Sequence, residues 1–176
     1  MDRFRILALA ALVFLMASSA ASADGKTISA ERILEQIAAS KPVEYDGYTI
    51  EGTLDLDDKL TKDLPTVEEG LFYRENHTNL SGEKKVIASR IRIANSTIKG
   101  DVNFNNTIFR QPIYFKNTSF EGHAGFRGAV FKEGADLSGS QFSRYADFLG
   151  SEFLEYAYFI DSRFHDYADF EDAYFD

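Results

Sequence analysis

Large apolar residues recur at alternating intervals of five and six through the C-terminal half of this chain. The series runs Phe104, Phe109, Phe115, Phe120, Phe126, Phe131, Leu137, Phe142, Phe148, Phe153, Phe159, Phe164, Phe170 and Phe175. Thirteen of the 16 phenylalanines occupy these fourteen rungs; the others are Phe4, Phe14 and Phe72. Self-similarity at a short fixed period identifies stacked repeats, each unable to bury its apolar face alone. The expected fold class is therefore an all-β solenoid. The pattern constrains architecture far more than activity, and no catalytic constellation stands out.

Around each rung the lattice has a grammar. Two positions earlier the residue is small or aliphatic: Val102, Ile113, Ala124, Ala135, Ala146, Ala157 and Ala168 before one set of rungs, Thr107, Thr118, Ala129, Ser140, Ser151, Ser162 and Ala173 before the other. Two positions later turn formers dominate, as at Gly100, Asn106, Asn117, Gly122, Gly128, Gly139, Gly150, Asp161 and Asp172. One short face and one corner make up each unit, and small and large inward residues alternate so that a narrow bore fills without clashes. The rhythm reaches back to Ile98, Ile93 and Ile87 with isoleucine in place of phenylalanine.

Ala135-Asp136-Leu137-Ser138-Gly139 matches the motif A-(D/N)-L-x-x, and Ala146-Asp147-Phe148 and Ala168-Asp169-Phe170 come close. On these residues the segment from about 87 to 176 resembles the pentapeptide-repeat family. The resemblance implies a right-handed quadrilateral β-helix with short parallel ladders on four faces. The departure is a sixth residue in every second step, at Pro112, His123, Gly134, Tyr145, Tyr156 and Tyr167. It makes the period eleven, a spacing similar to that of an exported branch of the family. Stacking demands short segments over short and long over long, so each coil needs an even number of them. Two cannot enclose a bore; four give about 22 residues per coil, a period in the range of known solenoids. Residues 93–176 then form about four coils, a rod of roughly 20 Å at about 4.8 Å per layer.

Upstream, Asp2, Arg3 and Arg5 precede an apolar run from Ile6 to Met16, and Ala21-Ser22-Ala23 offers a small-residue cleavage site before Asp24. This reads as a signal peptide over residues 1–23, cleaved after Ala23, and places the protein outside the cell or at its surface. The apolar core is shorter than the roughly 20 residues of a membrane span, although an uncleaved anchor remains open. Residues 24–42 read as a linker and one capping helix, with Ser29 as N-cap, Glu31 in the first turn, an apolar stripe of Ile33, Leu34, Ile37 and Ala38, and Pro42 as terminator. Residues 43–92 read as irregular first coils and a loop, with Leu71-Phe72-Tyr73 a short strand.

The formal charge is −9; the leader carries two Arg and one Asp, a net of +1, so the chain beyond it is −10. Such a surface argues against nucleic acid as a direct ligand. With no cysteine, disulfides and thiolate chemistry are excluded. No cofactor or metal is expected: His77, His123 and His165 lack ligand spacing, and Asp136, Asp147 and Asp169 are polar outward positions of the repeat before they are calcium ligands.

The inserted tyrosines are the best lead. Tyr145 and Tyr167, two periods apart, should stack on one edge, with Tyr156 opposite. Asp147 and Asp169 share a face, and from Tyr145 to Asp176 nine acids face one base, Arg163. Exposed tyrosine beside carboxylate suits a glycan or a basic protein surface, while the plainer role is packing over the corners. Asn76, Asn79, Asn95, Asn105 and Asn117 head glycosylation sequons, or equally serve as corner residues. The lattice runs to Phe175 without a closing element, so the expectation is either a piece of a longer protein or end-to-end self-association through an uncapped last coil. The expected function is an exported, non-enzymatic structural or protein- or glycan-binding module at the cell surface. The rival is an acidic DNA mimic inhibiting a DNA-binding enzyme, since the resemblance includes members that present an acidic rod to gyrase.

Overall fold

A computed structural model describes residues 25–58, 60–69 and 82–176. Four sheets wrap one continuous apolar core as the faces of a solenoid. The first face stacks Val43–Asp46, Ile91–Ala94, Ile113–Tyr114, Ala135–Asp136 and Ala157–Tyr158. The second stacks Lys26–Ser29, Tyr48–Glu51, Thr97–Ile98, Ser119–Phe120, Gln141–Phe142 and Arg163–Phe164. Leu54–Asp55, Val102–Asn103, Ala124–Gly125, Ala146–Asp147 and Ala168–Asp169 form the third. The fourth carries Thr66–Glu69, Gly82–Ile87, Thr107–Phe109, Val130–Phe131, Glu152–Phe153 and Tyr174–Phe175. Neighbouring strands in the regular part run parallel, pairing Ile113 with Ala135, Phe120 with Phe142, Ala124 with Ala146 and Phe109 with Phe131. The same one-coil register sets Asn117 under Asn95, 22 residues away in sequence.

The stack is taller than the rungs from residue 93 onward suggest, at about six layers. Val43 pairs with Ile91, Ile50 with Ile98 and Leu54 with Val102, so this stretch supplies three faces of a further coil in register with the next. Its offset from the next coil is 48 residues, as the side-chain bonds of Lys99 to Glu51 and of Asn103 to Asp55 also show. The excess over a regular coil is an insertion after the third face. Within that insertion Thr66–Glu69 returns antiparallel to Gly82–Ile87. Lys85 fastens its start by donating to the Leu56 carbonyl and to Asp57 Oδ1, the latter at 2.6 Å. Leu71-Phe72-Tyr73 lies outside the described residues, as does the leader.

The N-terminal cap has two parts, of which the sequence shows one. The helix α1 (Ala30–Ala38) starts at Ser29, whose hydroxyl accepts from the Arg32 N–H at 3.3 Å. It lays Ala30, Ile33, Leu34 and Ile37 on the core; Ala38 belongs to the exposed side. Before it, Lys26–Ser29 is a strand and not a linker: Ile28 pairs with Ile50, one regular coil on. Ser40 takes φ 52° just past the helix, two residues before Pro42.

Inside, every rung from Ile87 to Phe153 is at most 1% exposed. Phe109, Phe131, Phe153 and Phe175 form one column with rings 4.6–5.1 Å apart and within 9° of parallel. Phe126, Phe148 and Phe170 form another at 5.1 and 4.8 Å, whereas Phe104 meets Phe126 edge-on at 73°. Several Ser and Thr at small inward positions bond between layers through their hydroxyls: Thr118 donates to the Ile93 carbonyl and Ser162 to the Leu137 carbonyl, each 25 residues back in the layer above, whereas Ser151 Oγ is buried without a partner.

The two step lengths make two kinds of corner. The five-residue step turns through a left-handed residue, and positive φ recurs every eleventh position at Asn95, Asn106, Asn117, Gly128, Gly139, Gly150, Asp161 and Asp172. Only Asn, Asp and Gly occupy these sites, the residues that tolerate that conformation. The six-residue step spends its extra residue on a wider bend, and Gly134 alone among its inserted residues has positive φ.

Candidate functional site

With the bore filled, chemistry falls to the outer columns, and the repeat dictates what each can hold. On the third face Asp55, Asn103, Gly125, Asp147 and Asp169 stack outward. Asp147 accepts from the Leu149 N–H and Asp169 from the Glu171 N–H, two residues on, so one oxygen of each carboxylate closes its own turn. The other oxygen reaches outward. Arg127 donates Nε to Asp147 Oδ2 at 2.9 Å, and the Tyr145 hydroxyl donates to Asp169 Oδ2 at 3.3 Å. Tyr145 and Tyr167 stack as the spacing predicts, rings 5.6 Å apart and 9° from parallel. Burial, then Asp147 and Asp169, push the Tyr145 phenol above its usual range, while Tyr167 is 65% exposed. Tyr145, Tyr167, Asp147, Asp169 and Arg127 thus form one edge; Arg127 joins from the preceding coil and has no signal in the motif.

Tyr156 lies apart from this edge. Its ring covers the backbone of Gly134, where an added Cβ would sit 2.9 Å from ring carbons. Its hydroxyl donates to the Tyr114 hydroxyl at 3.2 Å, and its ring stacks on Tyr158 at 4.9 Å. Burial and the Tyr114 bond raise its pKa well above that of an ordinary tyrosine. Tyr114 in turn carries the Arg90 guanidinium 5.3 Å from its ring centroid. Tyr114 and Tyr156 are 42 apart in sequence, two positions short of two coils, and only the stacking register foretells their meeting.

Of the sequon asparagines, Asn76 and Asn79 lie outside the described residues. Asn95 Nδ2 donates to Asp46 Oδ1 at 2.9 Å and Asn117 Nδ2 to Asn95 Oδ1 at 3.0 Å, a ladder down one corner. Asn105 Oδ1 accepts from the Arg127 N–H at 2.8 Å. All three are tied into contacts between layers. Among the described residues no group of three or more His, Asp or Glu is placed to hold a metal, and no helix is long and apolar enough to cross a membrane.

Two further surfaces stand out. On the fourth face Val86, Ile108 and Val130 point outward yet are buried, packed by Val67 and Leu154, beside a groove of about 520 Å³ that Val67, Ile108, Arg110, Gln111, Lys132 and Glu133 line. In the last coil Tyr158, Ile160, Tyr167, Tyr174 and Phe175 are 38–65% exposed.

A family model described as pentapeptide repeats (nine copies) matches residues 89–130, 104–152 and 126–173. Neither the curated proteins nor the solved structures contain a significant match to the chain.

Proposed function

Because residues 89–173 belong to the pentapeptide-repeat family, we propose that the chain is an exported, non-enzymatic module that binds a protein or glycan at the cell surface with its outer faces. The observation that carries this reading is the filled bore: rungs at most 1% exposed from Ile87 to Phe153 leave the interior no room for a ligand. The outer columns, by contrast, hold tyrosines and carboxylates in fixed register. Export rests on the leader, with Asp24 as the first residue of the secreted form. The test is fractionation with N-terminal sequencing, followed by a pull-down from envelope extract with Tyr145, Tyr156 and Tyr167 changed to Ser as control. A protein retained in the cytoplasm with residues 1–23 intact would sink the reading. That outcome would favour the DNA-mimic alternative, which the nine acids between Asp147 and Asp176 support. Self-association through the aromatic surface of the last coil belongs to the same proposal; a clean monomer by light scattering at high concentration would remove it.

A further inference from the structure

Within the binding-module reading, on which this inference rests, one ring differs from its equivalents. Tyr114, Asp136 and Tyr158 stand in one outward column of the first face, a layer apart each. Arg90 covers Tyr114, and on the next face Lys26 lies 5.3 Å from the centroid of Tyr48. The lattice position that corresponds to Arg90 for Tyr158 is two coils on, at Gly134, which has no side chain. Nor can it acquire one, since φ is +107° and a Cβ would lie 2.8 Å from the Tyr156 carbonyl oxygen. Tyr158 stays 47% exposed, its orientation held by Tyr156 and, through it, by Tyr114.

The corner that leads into its strand carries acids. Glu133 and Glu155 occupy the same corner one layer apart, both exposed, and neither forms an ion pair with a described residue. Asp136 is already matched by Lys116 at 3.6 Å. With one base against nine acids from Tyr145 onward, the lower coils are poor in cations of their own. We propose that Tyr158, on the face that follows the Glu133–Glu155 corner, receives an arginine side chain of a basic polypeptide partner. Arginine fits better than lysine, because a planar guanidinium stacks on the ring while its fork meets a carboxylate.

The experiment is an NMR titration of the intact rod with nona-arginine, nona-lysine and nona-glutamine, following the Tyr158 ring. Saturable binding of the arginine peptide, tighter than that of lysine and absent for glutamine, is expected. Tyr158→Ala should weaken it about two- to fivefold, the worth of one exposed cation–π contact. Tyr174→Ala, a comparably accessible ring elsewhere, should not. Glu155→Gln should weaken binding and flatten its salt dependence. Equal loss from Tyr158→Ala and Tyr174→Ala, or equal affinity for arginine and lysine, would reduce the effect to diffuse attraction and overturn the proposal. If no peptide binds while the intact rod still recovers a partner or glycan in the pull-down, the arginine site fails and the module reading stands; if neither binds, both fall.

Discussion

The first coils and the last coils share one backbone lattice and hold it with different side chains. Above, the rungs are aliphatic (Ile50, Leu56, Ile87, Ile93, Ile98), and layers are cross-linked by Arg92–Asp46 at 2.7 Å, Lys99–Glu51 at 3.3 Å and Lys85–Asp57 at 2.6 Å. Below, parallel phenylalanine columns carry the core, while Asp161, Asp166, Asp169 and Glu171 form no ion pair with a described residue. The upper end is closed by Lys26–Ser29 and α1; the lower surface is aromatic and acidic. The difference lies in what joins the layers: ion pairs add to an aliphatic core above, whereas stacked phenylalanine columns carry the cohesion below.

The largest test of that division sits in the columns. Phe148 is fully buried between Phe126 and Phe170, so Phe148→Ala should cost about 3–5 kcal/mol in urea unfolding. Phe175→Ala, at a ring 51% exposed, should cost no more than about 1–2 kcal/mol. Equal costs would mean that the columns do not carry the cohesion. Next come the corners. At Gly139, φ +71°, an added Cβ would strike Asn117 Oδ1, so Gly139→Ala should destabilise by about 1–3 kcal/mol. Adding Asn117→Gly, which removes the Oδ1 and keeps a residue suited to φ 52°, should restore part of that loss and leave the strain at position 139.

How far these features can be read from sequence depends on whether a residue's role is set within its own repeat. Rungs and left-handed corners are, because a large apolar residue or an Asn, Asp or Gly is needed at each. The strand Lys26–Ser29 is not: Ile28 is in phase with Ile50, but the insertion after the third face shifts both out of phase with Ile98 and everything below. The Tyr114–Tyr156 contact and the Arg127–Asp147 bond lie between coils, where local patterning is silent and only the register speaks. Ala38 sits on the apolar stripe by spacing but beyond the reach of the core.

Acid should act unequally on the two regions. Hydrogen bonds from Asn95 and Arg92 hold the Asp46 carboxyl below its usual range, and Lys85 does the same for Asp57. A lowered folded value adds stability above the ordinary carboxyl pKa of about 3.9 and loses it as pH falls through the folded value. Hydrogen exchange at pH 3 against pH 6 should therefore show faster opening around Val43–Asp46 and Gly82–Ile87, and less change at Glu152–Phe164, whose strands carry none of the ion pairs between described layers. The reverse order would break the comparison. The smallest effect belongs to the exposed edge: Tyr167→Ser should stay within about 0.5 kcal/mol, and Tyr145→Ser, which loses burial and the Asp169 bond, should cost about 1 kcal/mol.

The most direct measurement is a matched pair of deletions in the middle of the rod, followed by circular dichroism and thermal melting. Removing residues 124–145 takes out one full coil and joins His123 to Ala146, the residue that stands directly under Ala124. Removing residues 124–129 takes out a single long step and throws every lower rung off its column. The account expects the longer deletion to give a shorter rod that still melts cooperatively, and the shorter deletion to abolish the fold below it. A longer deletion that fails while the shorter one folds, or two deletions of equal effect, would contradict a four-step coil held by its phenylalanine columns.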